Sequence, residues 1–78
     1  MRKKEPTLII TFFSVTEAMR TEKICRQSGL PGRLVPVPRE ISSSCGIAWR
    51  AAPEDRALLE DKLAEEGVAI QELRVIEI

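Results

Sequence analysis

Seven residues near the start of the chain, Thr7-Leu8-Ile9-Ile10-Thr11-Phe12-Phe13, constrain its fold most. The run is rich in β-branched and aromatic residues and has strand length. It reads as a strand buried on both faces. The next four residues, Ser14-Val15-Thr16-Glu17, fit a capping box: a hydroxyl first, then a carboxylate three residues on. The strand therefore passes into a helix with almost no connector. That helix is predicted over residues 15–28, with Gly29 as its stop. On a 100° wheel Val15, Ala18, Glu22 and Cys25 share one face, with Met19 at its edge.

The remaining elements follow by the same logic. Arg33-Leu34-Val35-Pro36 reads as a short second strand, because Pro36 and Pro38 cannot donate to a ladder. Residues 46–50 form a third strand, with Cys45, Ile47 and Trp49 alternating onto one face and Gly46, Ala48 and Arg50 onto the other. Pro53-Glu54-Asp55 has the proline and the acids of a helix first turn. That helix runs to Glu66 and stops at Gly67, with Leu59 and Leu63 one turn apart toward the sheet. Residues 68–78 supply the last strand. Its apolar phase slips between Ile70 and Leu73, which predicts a bend or bulge at Gln71-Glu72. The order is β-α-β-β-α-β. We expect an α+β, ferredoxin-like fold with an antiparallel sheet and both helices on one face. Residues 1–6 read as an N-terminal tail and 7–78 as one domain.

With 78 residues, a chain buries only about 60–65% of its unfolded surface. A site here must be shallow, borne on a loop, or shared with a partner. Twelve Lys and Arg balance twelve Asp and Glu. That balance argues against nucleic acid as the main partner and does little to prevent self-association, so a homo-oligomer is open. The basic run Arg2-Lys3-Lys4 reads as a solvated tail. No apolar run reaches a bilayer span and no secretory signal is visible, so the expected location is cytoplasmic, with no membrane partner. Two cysteines in a reducing compartment read as free thiols. The sequence has no histidine, which removes Ser-His and Cys-His catalysis, and two cysteines cannot close a tetrahedral zinc site. No metal and no cofactor is expected.

Chemistry concentrates between the second and third strands, in Pro36-Val37-Pro38-Arg39-Glu40-Ile41-Ser42-Ser43-Ser44-Cys45-Gly46. Two prolines stiffen the entry. Three serines bring hydroxyls and backbone N–H groups toward Cys45, and Gly46 leaves room for close approach. Guanidiniums or converging N–H groups favour the reactive thiolate; Arg39, Arg50 and the Ser42-Ser43-Ser44 backbone are the candidates. A second reading stays open, in which Cys45 is a small side chain facing the core. Cys25 is either a buried thiol or a pairing partner for Cys45, which would need Cα atoms within about 7 Å. Glu22 is either a proton acceptor near a thiol or a charge at the stripe boundary with its head in water. Trp49 is either a stacking platform or core. Pro36-Val37-Pro38 is either a polyproline segment for a groove or a rigid connector.

This loop resembles that of a small family of bacterial selenium/sulfur carrier-like proteins, formerly a domain of unknown function. The shared pattern is Ala18 with Glu22-Lys23 on the first helix, then Gly29-Leu30, then Pro36, Pro38, Arg39, Ile41, Ser42, Cys45 and Gly46. The likeness extends from about Thr7 to Ile76. It implies that Cys45 carries sulfur or selenium as a persulfide or perselenide, between donor and acceptor proteins. The chain then acts as a carrier rather than a stand-alone enzyme. Arg39 would hold the anion, the serine backbone would shield the bound atom, and Gly46 would leave space for the acceptor. Glu22 and Arg50 would stand behind these groups and support them without touching the carried atom. The rival class is a regulatory or interaction module that pairs through a sheet edge and does no chemistry at Cys45.

Overall fold

The computed structural model describes residues 4–41 and 43–78. Arg2 and Lys3 of the basic run, and Ser42 of the loop, lie outside the described residues. The chain folds as β1 (Pro6–Phe12), α1 (Val15–Ser28), β2 (Arg33–Pro36), β3 (Ile47–Ala51), a 3-10 turn (Pro53–Asp55), α2 (Arg56–Glu65) and β4 (Ile70–Glu77). The four strands form one sheet in the order β2-β3-β1-β4, and every neighbouring pair is antiparallel. The class is α+β: a four-stranded antiparallel sheet with two helices.

β1 lies inside the sheet and is buried on both faces from Thr7 to Phe12. On one face Leu8, Ile10 and Phe12 pack with Trp49 and Ala51 of β3, with Ala18 and Cys25 of α1, and with Leu59 and Leu63 of α2. Both helices therefore cover that face. Leu59 and Leu63, fully buried, turn inward as their spacing predicts. Burying such a leucine contributes about 1.5–3 kcal/mol. On the other face Ile9 and Ala48 are covered by Ile41 from the β2–β3 loop, with Val37, Ile76 and Ile78 beside them. The loop that reads as polar is thus anchored to the sheet by one isoleucine.

Several elements differ from expectation for physical reasons. Pro6 joins β1, opposite Glu77, while Phe13 falls outside the strand and is 58% exposed. The buried stripe of α1 is Ala18, Thr21 and Cys25; Val15 and Met19 face solvent and Glu22 is half-buried. Thr21 can turn inward because its hydroxyl donates to the Glu17 carbonyl at 3.0 Å. Ser14 caps α1, accepting from the Glu17 N–H at 3.4 Å. The Glu17 carboxylate does not return to Ser14, as a capping box would have it. It accepts from the Ala69 N–H at 2.8 Å and pairs with Arg20 at 3.4 Å, and Arg20 donates to the Glu66 carbonyl. The first turns of α1 are thereby tied to the α2–β4 connection. Pro53-Glu54-Asp55 forms a 3-10 turn and α2 begins only at Arg56.

The slip in β4 is a bulge. Thr11 pairs with Glu72 and Phe12 with Ile70, so Gln71 is the extra residue. Trp49 is core, 2% exposed, and donates Nε1–H to the Pro31 carbonyl at 3.2 Å. Gly32 lies against it with φ 118°; a Cβ there would run into Trp49 Nε1 and would stand 2.6 Å from the Arg50 carbonyl. No described helix is long and apolar enough to cross a membrane.

Candidate functional site

The β2–β3 loop leaves the sheet at Pro36 and returns at Ile47, which are cross-strand partners. Its neck is closed by one more ladder bond, from the Val37 N–H to the Gly46 carbonyl at 3.1 Å. The prolines stiffen the way out, and the Ile41 N–H bonds the Pro38 carbonyl at 3.0 Å to form a turn. Ile41 then drops into the open face of the sheet. Gly46 has φ 75°, and a Cβ built on it would meet nothing within 4 Å. Glycine is needed there for its backbone conformation, not for space.

Cys45 sits half-buried at the rim of the helix-side core and packs against it. Its sulfur is neither sealed in the core nor fully presented. The thiol donates to the Ile47 carbonyl at 3.1 Å. The Ser43 hydroxyl lies 3.7 Å from the sulfur and accepts from the Cys45 N–H at 3.4 Å. Ser43 is the one side chain hydrogen-bonded to Cys45 among the described residues, and its hydroxyl can rotate to donate to a charged sulfur.

The next serine is held from across the sheet. The Ser44 N–H donates to Gln71 Oε1 at 3.1 Å, and Gln71 Nε2 donates to Ser44 Oγ at 3.3 Å. Gln71 is the bulged residue of β4, and the bulge aims its amide at the loop. The position of the bulge is legible in the apolar phase of β4. Its role here is not, because a glutamine 27 residues away carries no local signal.

The structure brings Ser43, Ser44, Cys45 and Gly46 together and adds Gln71. Arg39 belongs to the same loop but is exposed, with no hydrogen bond or ion pair to a described residue. Arg50 stands elsewhere: it lies well inside β3, on the opposite face of the sheet from the helix-side core, in register with Ile9 and Arg33. Glu22 lies midway along α1 without a hydrogen-bonded partner among the described residues. Neither Arg50 nor Glu22 touches the sulfur. Cys25 is fully buried and unbridged, about 15 Å along α1 from Val15. Burial pushes its thiol above the ordinary range, which makes it inert at neutral pH. No cluster of three metal-ligating side chains occurs among the described residues.

Comparison with known proteins identifies the family. The family model described as "Putative Se/S carrier protein-like" matches residues 7–74. The chain belongs to that family. The match spans every element from β1 into β4 and includes the whole Cys45 loop. The chain is also 33% identical over 70 residues to a protein of Aquifex aeolicus (strain VF5) named "Putative sulfur carrier protein". That alignment covers 87% of this chain and 36% of the relative, so the chain spans about a third of the relative's length. No solved structure matches significantly.

Proposed function

We propose that this member of the Se/S carrier-like family, built on a ferredoxin-like plan, carries one sulfur or selenium atom on Cys45. One observation supports the reading above all. The half-buried Cys45 sulfur has a hydroxyl partner, on a loop closed at its neck, anchored by Ile41 and held at Ser44 by Gln71. A core cysteine has no use for such a mounting; a thiol that must be charged, capped and discharged does.

The chemistry needs no external oxidant. The Cys45 thiolate attacks the outer sulfur of a donor persulfide, or the selenium of a perselenide. A new bond to Cys45 forms as the donor's own bond breaks, and the donor leaves as a thiolate. The outer atom now carries the negative charge. The Ser43 hydroxyl turns to donate to it, and Arg39 adds positive charge to the same loop. An acceptor nucleophile then takes the outer atom and restores Cys45. The partners are donor and acceptor proteins, met in a reducing compartment that keeps Cys25 and Cys45 unbridged. The domain supplies a protected thiol rather than catalysis of its own.

Intact-mass and peptide spectrometry after incubation with a persulfide donor tests this. The expected result is one added sulfur on Cys45, lost in Cys45→Ser and retained in Cys25→Ser. No adduct, or an adduct that survives Cys45→Ser, overturns the reading.

A further inference from the structure

The sheet has two edges, and the chain guards only one. β2 is four residues long, contains Pro36 and opens with Arg33. Short length, proline and charge are the usual devices that keep an edge strand from pairing. β4 is eight residues long, has no proline and, among the described residues, pairs only with β1. Val75 is 41% exposed and lies on the helix-side face, opposite Leu8. The chain has no net charge to hold copies apart.

We infer that β4 pairs with β4 of a second copy, antiparallel, about a two-fold axis at Leu73. The sequence Glu72-Leu73-Arg74 fixes the register. An axis at Leu73 sets each Glu72 opposite the partner copy's Arg74, giving two cross-strand ion pairs on one face. An axis at Glu72 or Arg74 would oppose like charges directly, which is destabilising. An axis at Val75 would set Leu73 against Glu77. The Leu73 register is the one that sets opposite charges against each other and Leu73 against its own copy. It also sets Val75 of the second copy beside Gln71, the residue that holds Ser44. The two Cys45 loops would then be braced from one continuous sheet. The inference rests on the edge and its charges and does not depend on what Cys45 carries.

Sedimentation equilibrium of the full chain, with charge swaps at two exposed positions, tests it. The wild type is expected to weigh twice its 8.8 kDa chain. Arg74→Glu alone and Glu72→Arg alone each weaken association by about tenfold or more, since both ion pairs become repulsions. An equimolar mixture of the two variants, and the double swap in one chain, restore it. Circular dichroism shows that each variant keeps its fold. A wild type that stays monomeric at every concentration overturns the inference. So does a dimer indifferent to Arg74→Glu, or a mixture that fails to recover.

Discussion

Replacing Gln71 by alanine removes the hydrogen bonds that tie β4 to Ser44 of the Cys45 loop. Two hydrogen bonds are lost: Ser44 N–H to Oε1 at 3.1 Å and Nε2–H to Ser44 Oγ at 3.3 Å. Both are exposed and neutral, so each contributes about 0.5–1 kcal/mol, and together they hold the loop by about 1–2 kcal/mol. Water satisfies the freed groups, so global stability should fall by less than that. The local effect is larger in proportion. The Ser44 amide should exchange roughly 5–30-fold faster, the factor that corresponds to 1–2 kcal/mol of lost local protection. Alkylation of Cys45 by iodoacetamide should accelerate by up to the same factor, while Cys25 stays unreactive. Hydrogen exchange read by NMR, with alkylation followed by mass spectrometry, gives both rates on one sample. Unchanged Ser44 exchange in Gln71→Ala would refute the clamp. Faster exchange with an unchanged Cys45 rate would show that the clamp does not govern the sulfur.

Other substitutions test the frame beneath the site. Gly32→Ala places a Cβ against Trp49 Nε1 and the Arg50 carbonyl at φ 118°. It should cost about 2–4 kcal/mol by overpacking and backbone strain, read from urea unfolding; a neutral result would mean that the close approach is not real. Leu63→Ala should cost about 2–5 kcal/mol, because Leu63 is fully buried between α2 and the sheet. Cys25 gives a pH signature: burial raises its thiol above the ordinary value of 9.0. The folded state therefore holds that proton more tightly than the unfolded state. The contribution is intact below about pH 9 and is lost as pH rises through the folded value, at up to about 1.4 kcal/mol per pH unit. Cys25→Ala should flatten that alkaline decline, measured by denaturant unfolding across pH 8–11 (about the range where thiols titrate).

The fold was written into local chemistry that needs no knowledge of neighbours. Ser14 and Gly29 bound α1 at the residues expected, and the prolines stop β2 at Pro36. The phase slip of β4 marks the bulge at Gln71. What failed was whatever depends on where a side chain goes after leaving its own element. Glu17 has the spacing of a capping box, but its carboxylate accepts from the Ala69 N–H of the α2–β4 connection, a partner 52 residues away that no local pattern announces. Val15 and Met19 share a wheel with Ala18 yet face solvent, because Thr21 can be buried once its hydroxyl is satisfied within the helix. At the site, the loop that carries Cys45, with Ser43 and Ser44 just before it, stands out from composition alone. Arg50 was not excludable, since its distance and face depend on strand register. Gln71 was invisible as a partner, because the contact spans two strands and 27 residues of chain.

The central claim is that an atom is held on Cys45 and passed on. Its most direct test is to load the chain with radiolabelled sulfane sulfur, remove the donor, and add an acceptor thiol. The account predicts that label leaves Cys45 in proportion to acceptor and appears on it atom for atom, with the free Cys45 thiol restored. Label that stays on Cys45, or that escapes to solvent at the same rate with and without acceptor, would contradict it.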